Sequence, residues 1–249
     1  MNRKNMSNKS FIRDAAVKVA VKLGIYTKIV SRLNRRIAKR EAAAIRKHGV
    51  EVLAKVDEVL TKQGITPFFV FGLLLGAYRD KGFISYDYDL DIGIMGSERP
   101  ANMLDYMREN GFRLVRQFYI KEDGWISVEQ FEYNGVPVDF YYFFEKDEDT
   151  VAVIVPFKHE YKDWKEANDT DGFPSQIITA EKTAFSRQDF MGIQFYMPDK
   201  AASWLAGFYG DDFMTPVKNW AIDKRETTRR PYPVRQYRNL EIVAQQAKL

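Results

Sequence analysis

Three aspartates at every second position, Asp87, Asp89 and Asp91, punctuate "FISYDYDLDIGIM", a segment that otherwise has the apolar content of a buried strand. On a strand successive side chains point to opposite faces, so Tyr88, Leu90, Ile92 and Ile94 are expected to face the core. Asp87, Asp89, Asp91 and Gly93 then share the other face, with alternate Cα atoms roughly 6.5–7 Å apart. Carboxylates at that spacing can converge on one hard divalent cation, or hold a pair of cations about 4 Å apart. Without a cation the like charges repel and raise one another's pKa. A solvated edge that deters strand pairing accounts for one or two such acids, and poorly for three in register.

A further ligand has to come from a neighbouring strand. In "VPVDFYYFF" Asp139 is the single charge between Val136 and Phe144. An acid in so apolar a strand must be paired, protonated or metal-bound. A salt bridge to an arginine competes with metal binding, and Asp89 and Asp91 favour the metal. Upstream, Gly72 marks a strand-to-helix turn, where a glycine lets the backbone approach a ligand and the new helix's N–H groups favour phosphate. Gly76 follows one turn later and suits close packing. Arg79 and Lys81 lie between that helix and the acids, placed to grip phosphate oxygens. Arg79 is the better candidate because its fork binds two oxygens at once, though it reads equally as an exposed charge, and Lys81 reads more readily as an exposed surface charge than as a phosphate contact.

The elements that must position these groups alternate between helix and strand. Residues 10–47 read as helix with a break near Gly24, and 50–63 as a second helix closed by Gly64. "TPFFVFG" reads as a short buried strand ending at Gly72, and "LLLGAYR" as the helix after it. A helix around 100–110 ends at Gly111. Strands follow near 112–120, 126–133 and 136–144, the last two joined by Asn134-Gly135, a type I′ hairpin signal. "TVAVIVPF" reads as another strand, 157–180 as a long surface connection, and "FMGIQFYMP" as one strand. Pro198-Asp199 opens a helix that Gly210 stops. The tail reads as irregular, then helical near 238–248. The fold class is α+β, a mixed sheet flanked by helices. The expected division is a basic helical arm (1–48), a catalytic domain (49–225) and a basic C-terminal tail (226–249).

Composition narrows the function classes. Of 249 residues, 45% are apolar and 14% aromatic, which suits a packed globular core. The chain has no cysteine and only two histidines, His48 and His159, so thiolate and histidine-rich metal sites are set aside. No apolar run approaches the roughly 20 residues of a membrane span. Arg13, Asp14, Lys18 and Lys22 interrupt the N-terminal apolar stretch, unlike a secretory leader, and the expected location is cytoplasmic. Residues 1–48 carry 14 Lys/Arg against 2 acids, net +12, while the remainder, 24 basic against 32 acidic, is −8. A basic arm on an acidic body is either a solvated helical face or a contact for an anionic partner. Among partners, peripheral contact with the inner face of the cell membrane is preferred. Nucleic acid is disfavoured, because the arm has few aromatics for stacking.

Strand, glycine turn, helix, an Asp-x-Asp strand and a third Asp on a later strand make the metal centre of a nucleotidyltransferase-like fold. Gly72, Leu74-Leu75-Gly76, Arg79, Gly82-Phe83-Ile84, Tyr86 and Asp87/Asp89/Asp91 resemble the signature of the LicD/fukutin family of phosphotransferases. "VDFYYFF" and "FMGIQFYMPDKAASWLAGFYGDDFMTP" resemble the family's later strand and closing helix, so the resemblance covers roughly 50–220. The chain departs from the pattern at Ser85-Tyr86, where Pro-Trp is usual, at Tyr88, where an acid is common, and at Phe213, where Trp is common.

The resemblance implies transfer of a phospho-alcohol, such as phosphocholine or an alditol or glycerol phosphate, from a CDP-activated donor. The acceptor would be a sugar hydroxyl of a cell-surface glycan or a lipid-linked glycan. It implies Mg²⁺, with Mn²⁺ as the substitute, held by Asp89 and Asp91. Asp139 would complete the metal site or act as base, and Asp87 would be an outer ligand or hold the loop. Two alternatives stay open: nucleotidyl transfer from an NTP with pyrophosphate release, and a non-catalytic adaptor for polyanions or membranes.

Overall fold

The computed structural model describes residues 26–120, 124–156, 175–216 and 234–238. Its first element is one long helix, α1 (Tyr26–Thr61). Val52, Leu53, Val56, Val59 and Leu60 are fully buried and recur on one face of its last turns, joined further back by Ile45 and Ala42. The two helical patterns expected at 10–47 and 50–63 therefore run together from residue 26 without a break. Gly49 does not interrupt the helix; its missing Cβ makes room for the Phe83 ring, which would lie 2.6 Å from a side chain there. Gly64, at φ +73, ends the run as expected.

Ten strands are seen among the described residues: β1 (Phe68–Phe69), β2 (Leu90–Met95), β3 (Arg113–Ile120), β4 (Ile126–Tyr133), β5 (Val136–Glu145), β6 (Thr150–Pro156), β7 (Ser175–Glu181), β8 (Phe185–Phe190), β9 (Ile193–Pro198) and β10 (Val234–Arg238). The main path runs β10-β3-β4-β5-β2-β1-β9-β8, with β6 and β7 branching from the end of β5. Parallel pairing of β2 with β5, and of β1 with β9, makes the sheet mixed. Short helices α2 (Phe71–Leu75), α3 (Met103–Glu109) and α4 (Ala201–Tyr209) complete the α+β architecture. α1 packs along β5 and β9, and α4 on β7, β9 and α2. The core between α4 and the sheet is aromatic: Phe68 stacks on Phe185 at 4.0 Å, and Trp204 stacks on Phe143 at 5.5 Å. Gly93 is required there, because a Cβ would sit 2.1 Å from the Phe68 ring.

Local chemistry accounts for the junctions. Phe112 N–H donates to the Met107 carbonyl and Gly111 N–H to that of Arg108, both at 3.0 Å, the paired bonds of a Schellman end to α3. Asn134 (φ 51) and Gly135 (φ 76) form the expected tight turn between β4 and β5. Several expectations are corrected. The strand before Gly72 stops at Phe69, and Phe71, at φ 44, turns the chain abruptly into α2. That left-handed backbone costs on the order of 1–2 kcal/mol. Contacts at 4.8 Å from its ring to both Tyr141 and Phe208 offset the cost. Asp87 and Asp89 precede β2 instead of lying in it, and Tyr88 is 49% exposed instead of buried. The polar stretch 157–180 contains β7, though 157–174 lie outside the described residues. "FMGIQFYMP" is the second half of a β8–β9 hairpin turning at Met191-Gly192, and the tail contributes β10. The helix expected near 238–248 falls almost wholly outside the described residues.

Candidate metal centre

Asp91 and Asp139 are register partners in the parallel pair β2–β5, so their side chains leave the sheet side by side. Asp89 comes from the bend that leads into β2. One carboxylate oxygen from each of Asp89, Asp91 and Asp139 lies within 4.8 Å of the other two. Gly72 N–H donates to Asp91 Oδ2 at 3.2 Å. A Cβ on Gly72 would meet Asp87 Oδ2 at 2.9 Å and Asp91 Oδ2 at 3.3 Å. Two carboxylates thus close over this glycine, and its amide holds one of them. Gly76 has a different function: a Cβ would lie 2.5 Å from the Gly82 carbonyl oxygen, so it lets the loop pack on the helix.

The centre is charged and poorly solvated. Burial pushes Asp89 well above the ordinary aspartate range, and the neighbouring charges of Asp139 and Asp87 push it further. Asp91 is raised well above that range first by burial, then by Asp89, Asp139 and Asp87, against the bond from Gly72. Asp139, 6% exposed, is raised by burial and opposed by Arg116 and a hydrogen bond from Gln130. Asp87 is pushed to about 6 by burial, with Arg79 opposing and Asp80 adding. Tyr88 is pushed up to about 12, first by the charge of Asp89. Tyr141 and Tyr209 are likewise raised, by burial and then Asp91, so their phenols stay protonated at neutral pH.

These residues fit a divalent cation on their own chemistry. Asp139 Oδ1 is buried and, among the described residues, accepts no hydrogen bond. A buried carboxylate oxygen without a donor is costly unless something positive meets it. Three convergent carboxylates, with no nitrogen or sulfur ligand among them, suit a hard ion of the Mg²⁺ or Mn²⁺ kind.

The other residues expected at the site are placed as follows. Arg79 lies in a π-helical turn, Gly76–Asp80, that extends α2. Its fork binds Asp80 with Nε–Oδ1 at 2.7 Å and Nη2–Oδ2 at 2.9 Å. Lys81 caps that turn in the left-handed conformation (φ 55), exposed, with its ammonium 5.7 Å from the Tyr78 ring centre.

Arg116 and Gln130 are absent from the sequence-based site. Arg116 pairs with Gln130, Gln130 with Asp139, and Asp139 with Asp91, a row straight across β3, β4, β5 and β2. An irregularity between Leu114 and Arg116 creates the row: Leu114 opposes Phe131, yet Arg116 opposes Gln130. This one-residue bulge turns Arg116 to the acid face and sends Gln117 to the other, where it donates to Glu129 Oε1 at 2.6 Å. Glu129 is fully buried there, bound by the Arg99 fork at 2.8 and 3.2 Å and by the Tyr142 hydroxyl.

A mixed sheet that gathers carboxylates from adjacent parallel strands beneath a strand-to-helix glycine turn is the layout of a nucleotidyltransferase-type phosphate-transfer domain. Residues 64–200, more than half of the chain, match the family described as LicD/FKTN/FKRP, nucleotidyltransferase domain. The chain belongs to that family. It is 23% identical over 180 residues to the human ribitol-5-phosphate transferase FKTN, covering 72% of this chain and 36% of that protein. An uncharacterised protein of Rickettsia typhi is 27% identical over 124 residues, covering 43% of this chain and 38% of its own length. One from Caenorhabditis elegans is 32% identical over 75 residues, 29% of this chain and 19% of that protein. The chain thus spans little more than a third, at most, of these relatives.

Proposed function

We propose that the chain is a Mg²⁺-dependent phosphotransferase that moves a phospho-alcohol from a CDP-activated donor to a sugar hydroxyl of a cell-surface glycan. The observation that carries this reading is the convergence of Asp89, Asp91 and Asp139 within 4.8 Å, with Asp139 Oδ1 left without a donor among the described residues. Family membership and the name of the human relative, a ribitol-5-phosphate transferase, support the class of transferred group.

In the proposed reaction the acceptor oxygen forms a bond to the phosphorus that carries the alcohol. The bond from that phosphorus to the bridging oxygen breaks, and CMP leaves with the bonding electrons. The hydroxyl proton passes to Asp139 or, where Asp139 serves only as ligand, to solvent. A divalent cation bound by the three aspartates supplies charge neutralisation for the diphosphate. Gly72 acts by fixing Asp91 through its amide. Asp87 and the Arg79–Asp80 pair brace the loop that carries Asp89, and Arg79 and Lys81 are the proposed contacts for donor phosphate oxygens. Gly76 contributes by letting that loop close.

The basic arm is proposed to rest on an anionic membrane surface at the cytoplasmic side. Leu33 and Ile37, one turn apart and 55% and 38% exposed, sit among Arg32, Arg36, Lys39 and Arg40 on α1. No helix among the described residues is long and apolar enough to cross a membrane.

A screen of CDP-choline, CDP-glycerol and CDP-ribitol with Mg²⁺ and a glycan acceptor tests the reading. CMP release from one of them is expected. Pyrophosphate release from CTP or ATP with an acceptor, and no CMP from any CDP-alcohol, would replace it with nucleotidyl transfer.

A further inference from the structure

Beside the acid centre, a cavity of about 520 Å³ opens between α1 and the sheet, lined by Arg35, Glu41, Tyr88, Arg116, Gln130 and Pro137 among others. We infer that it is a subsite for an oxyanion, a phosphate or carboxylate group, carried by the acceptor and clasped between Arg116 and Arg35. The assignment to the acceptor rests on the transferase reading above; the anion site itself does not.

Four observations carry it. First, the bulge in β3 spends one residue to bring Arg116 onto the acid face, next to Gln130. Second, Arg116 Nε is buried and has no hydrogen-bond partner among the described residues. A guanidinium offers five donors, and a buried one left unused calls for an acceptor. Third, Arg35 reaches the same cavity from α1, so two cations from different elements face it against one carboxylate, Glu41. Two guanidiniums lining one cavity suit a multidentate oxyanion, while Glu41, Gln130 and the Tyr88 hydroxyl are fitted to bind neighbouring sugar hydroxyls. Fourth, Gln130 both lines the cavity and hydrogen-bonds Asp139, so a group seated there holds its next hydroxyl towards the acid centre.

A counter-charge for the aspartates would explain why Arg116 approaches Asp139, but it leaves Arg35 and the cavity without a function. The α1 wall also lies upstream of residues 64–200, the part matched to the family. Tyr88, Arg116, Gln130 and Pro137 lie within that matched part, so the cavity joins a wall from outside it to the face that carries the acid centre.

The test needs no turnover. Orthophosphate is titrated into the full chain in EDTA, with binding followed by calorimetry and ³¹P line broadening. Saturable binding is expected, weakened about tenfold by Arg35→Ala and by Arg116→Gln, each of which removes charge-assisted hydrogen bonds. Arg108→Ala, which breaks an exposed pair with Asp105 on α3, should bind as wild type. Arg35 is exposed on α1, so its variant tests the site even if Arg116→Gln fails to fold. No saturable binding by wild type, or equal binding by Arg35→Ala, would overturn the subsite. Titration of CDP-ribitol with Mn²⁺ separates acceptor from donor. Equal donor affinity in wild type and Arg35→Ala is expected, and a tenfold loss would overturn the assignment to the acceptor. If wild type binds no CDP-alcohol at all, the transferase reading fails while the phosphate result still decides the subsite.

Discussion

Replacing Gly72 by alanine tests whether the acids are held as tightly as their geometry implies. A Cβ there would lie 2.9 Å from Asp87 Oδ2 and 3.3 Å from Asp91 Oδ2, against ordinary contact at 3.4–4 Å. One or both carboxylates must therefore retreat, Asp87 by about 0.5 Å. An error of 1 Å in a reactive constellation costs roughly a hundredfold in rate, so a shift of about 0.5 Å should lower kcat by up to about tenfold. Stability should hardly change. Alanine gains up to about 1 kcal/mol over glycine in a helix, which opposes a contact penalty of similar size. The melting temperature should stay within a few degrees of wild type, while CMP release with Mg²⁺ and the active CDP-alcohol drops. A Gly72→Ala protein that melts like wild type and retains full kcat would refute the claim that this glycine sets the carboxylate positions.

Other perturbations probe separate parts of the account. In EDTA, Asp87 has a folded-state pKa of about 6 against an ordinary 3.8, so the unfolded chain ionises first as pH rises. The folded state then holds the extra proton, and stability is lost between about pH 4 and pH 6, by about 2–3 kcal/mol for this group. Urea unfolding at pH 4.5, 5.5 and 7 should show Asp87→Asn gaining on wild type as pH rises; a constant difference would contradict the assignment. Glu129→Gln leaves the Arg99 charge buried opposite a neutral amide and should cost about 3–5 kcal/mol in unfolding free energy. A loss under about 1 kcal/mol would mean that water reaches the pair. For the arm, replacing Arg32, Arg36, Lys39 and Arg40 by glutamine should weaken flotation with anionic vesicles about a thousandfold, at about 1 kcal/mol per removed charge. Equal flotation of both proteins would rule out electrostatic docking through α1. A chain cut at residue 49 is unsuited to that test, because α1 is continuous from 26 to 61 and its buried Ile45 would be lost.

The acids were legible because strand alternation and hairpin chemistry are local. Asn134-Gly135 sets where β5 begins, and alternation along β5 then sets the face of Asp139. Its pairing with Asp91 requires only that β2 and β5 be neighbours. Arg116 was illegible for the opposite reason. Alternation from Leu114 puts it on the wrong face, and "RLVRQFYI" carries no glycine or other mark of the bulge that reverses it. Alternation carried back through Asp89 puts Tyr88 in the core, but Asp89 lies in a bend, where side chains no longer alternate. "FMGIQFYMP" reads as a strand from Phe190, three residues early and without β8, because the turn before β9 uses Met191 at φ 52, a residue with no turn preference. The gap expected between the helices 10–47 and 50–63 is absent, and at Gly49 within it the Phe83 ring occupies the space a side chain would need.

The transferase reading depends on a divalent ion binding Asp89, Asp91 and Asp139, and Mn²⁺ titration followed by electron paramagnetic resonance and calorimetry measures that directly. Saturable binding by the full chain, displaced by Mg²⁺ and lost in both Asp91→Asn and Asp139→Asn, is the predicted result. Both variants should also melt higher than wild type in EDTA, since each removes a charge from a crowded, buried centre. Mn²⁺ affinity that is unchanged in either variant, or absent from wild type, would contradict the account.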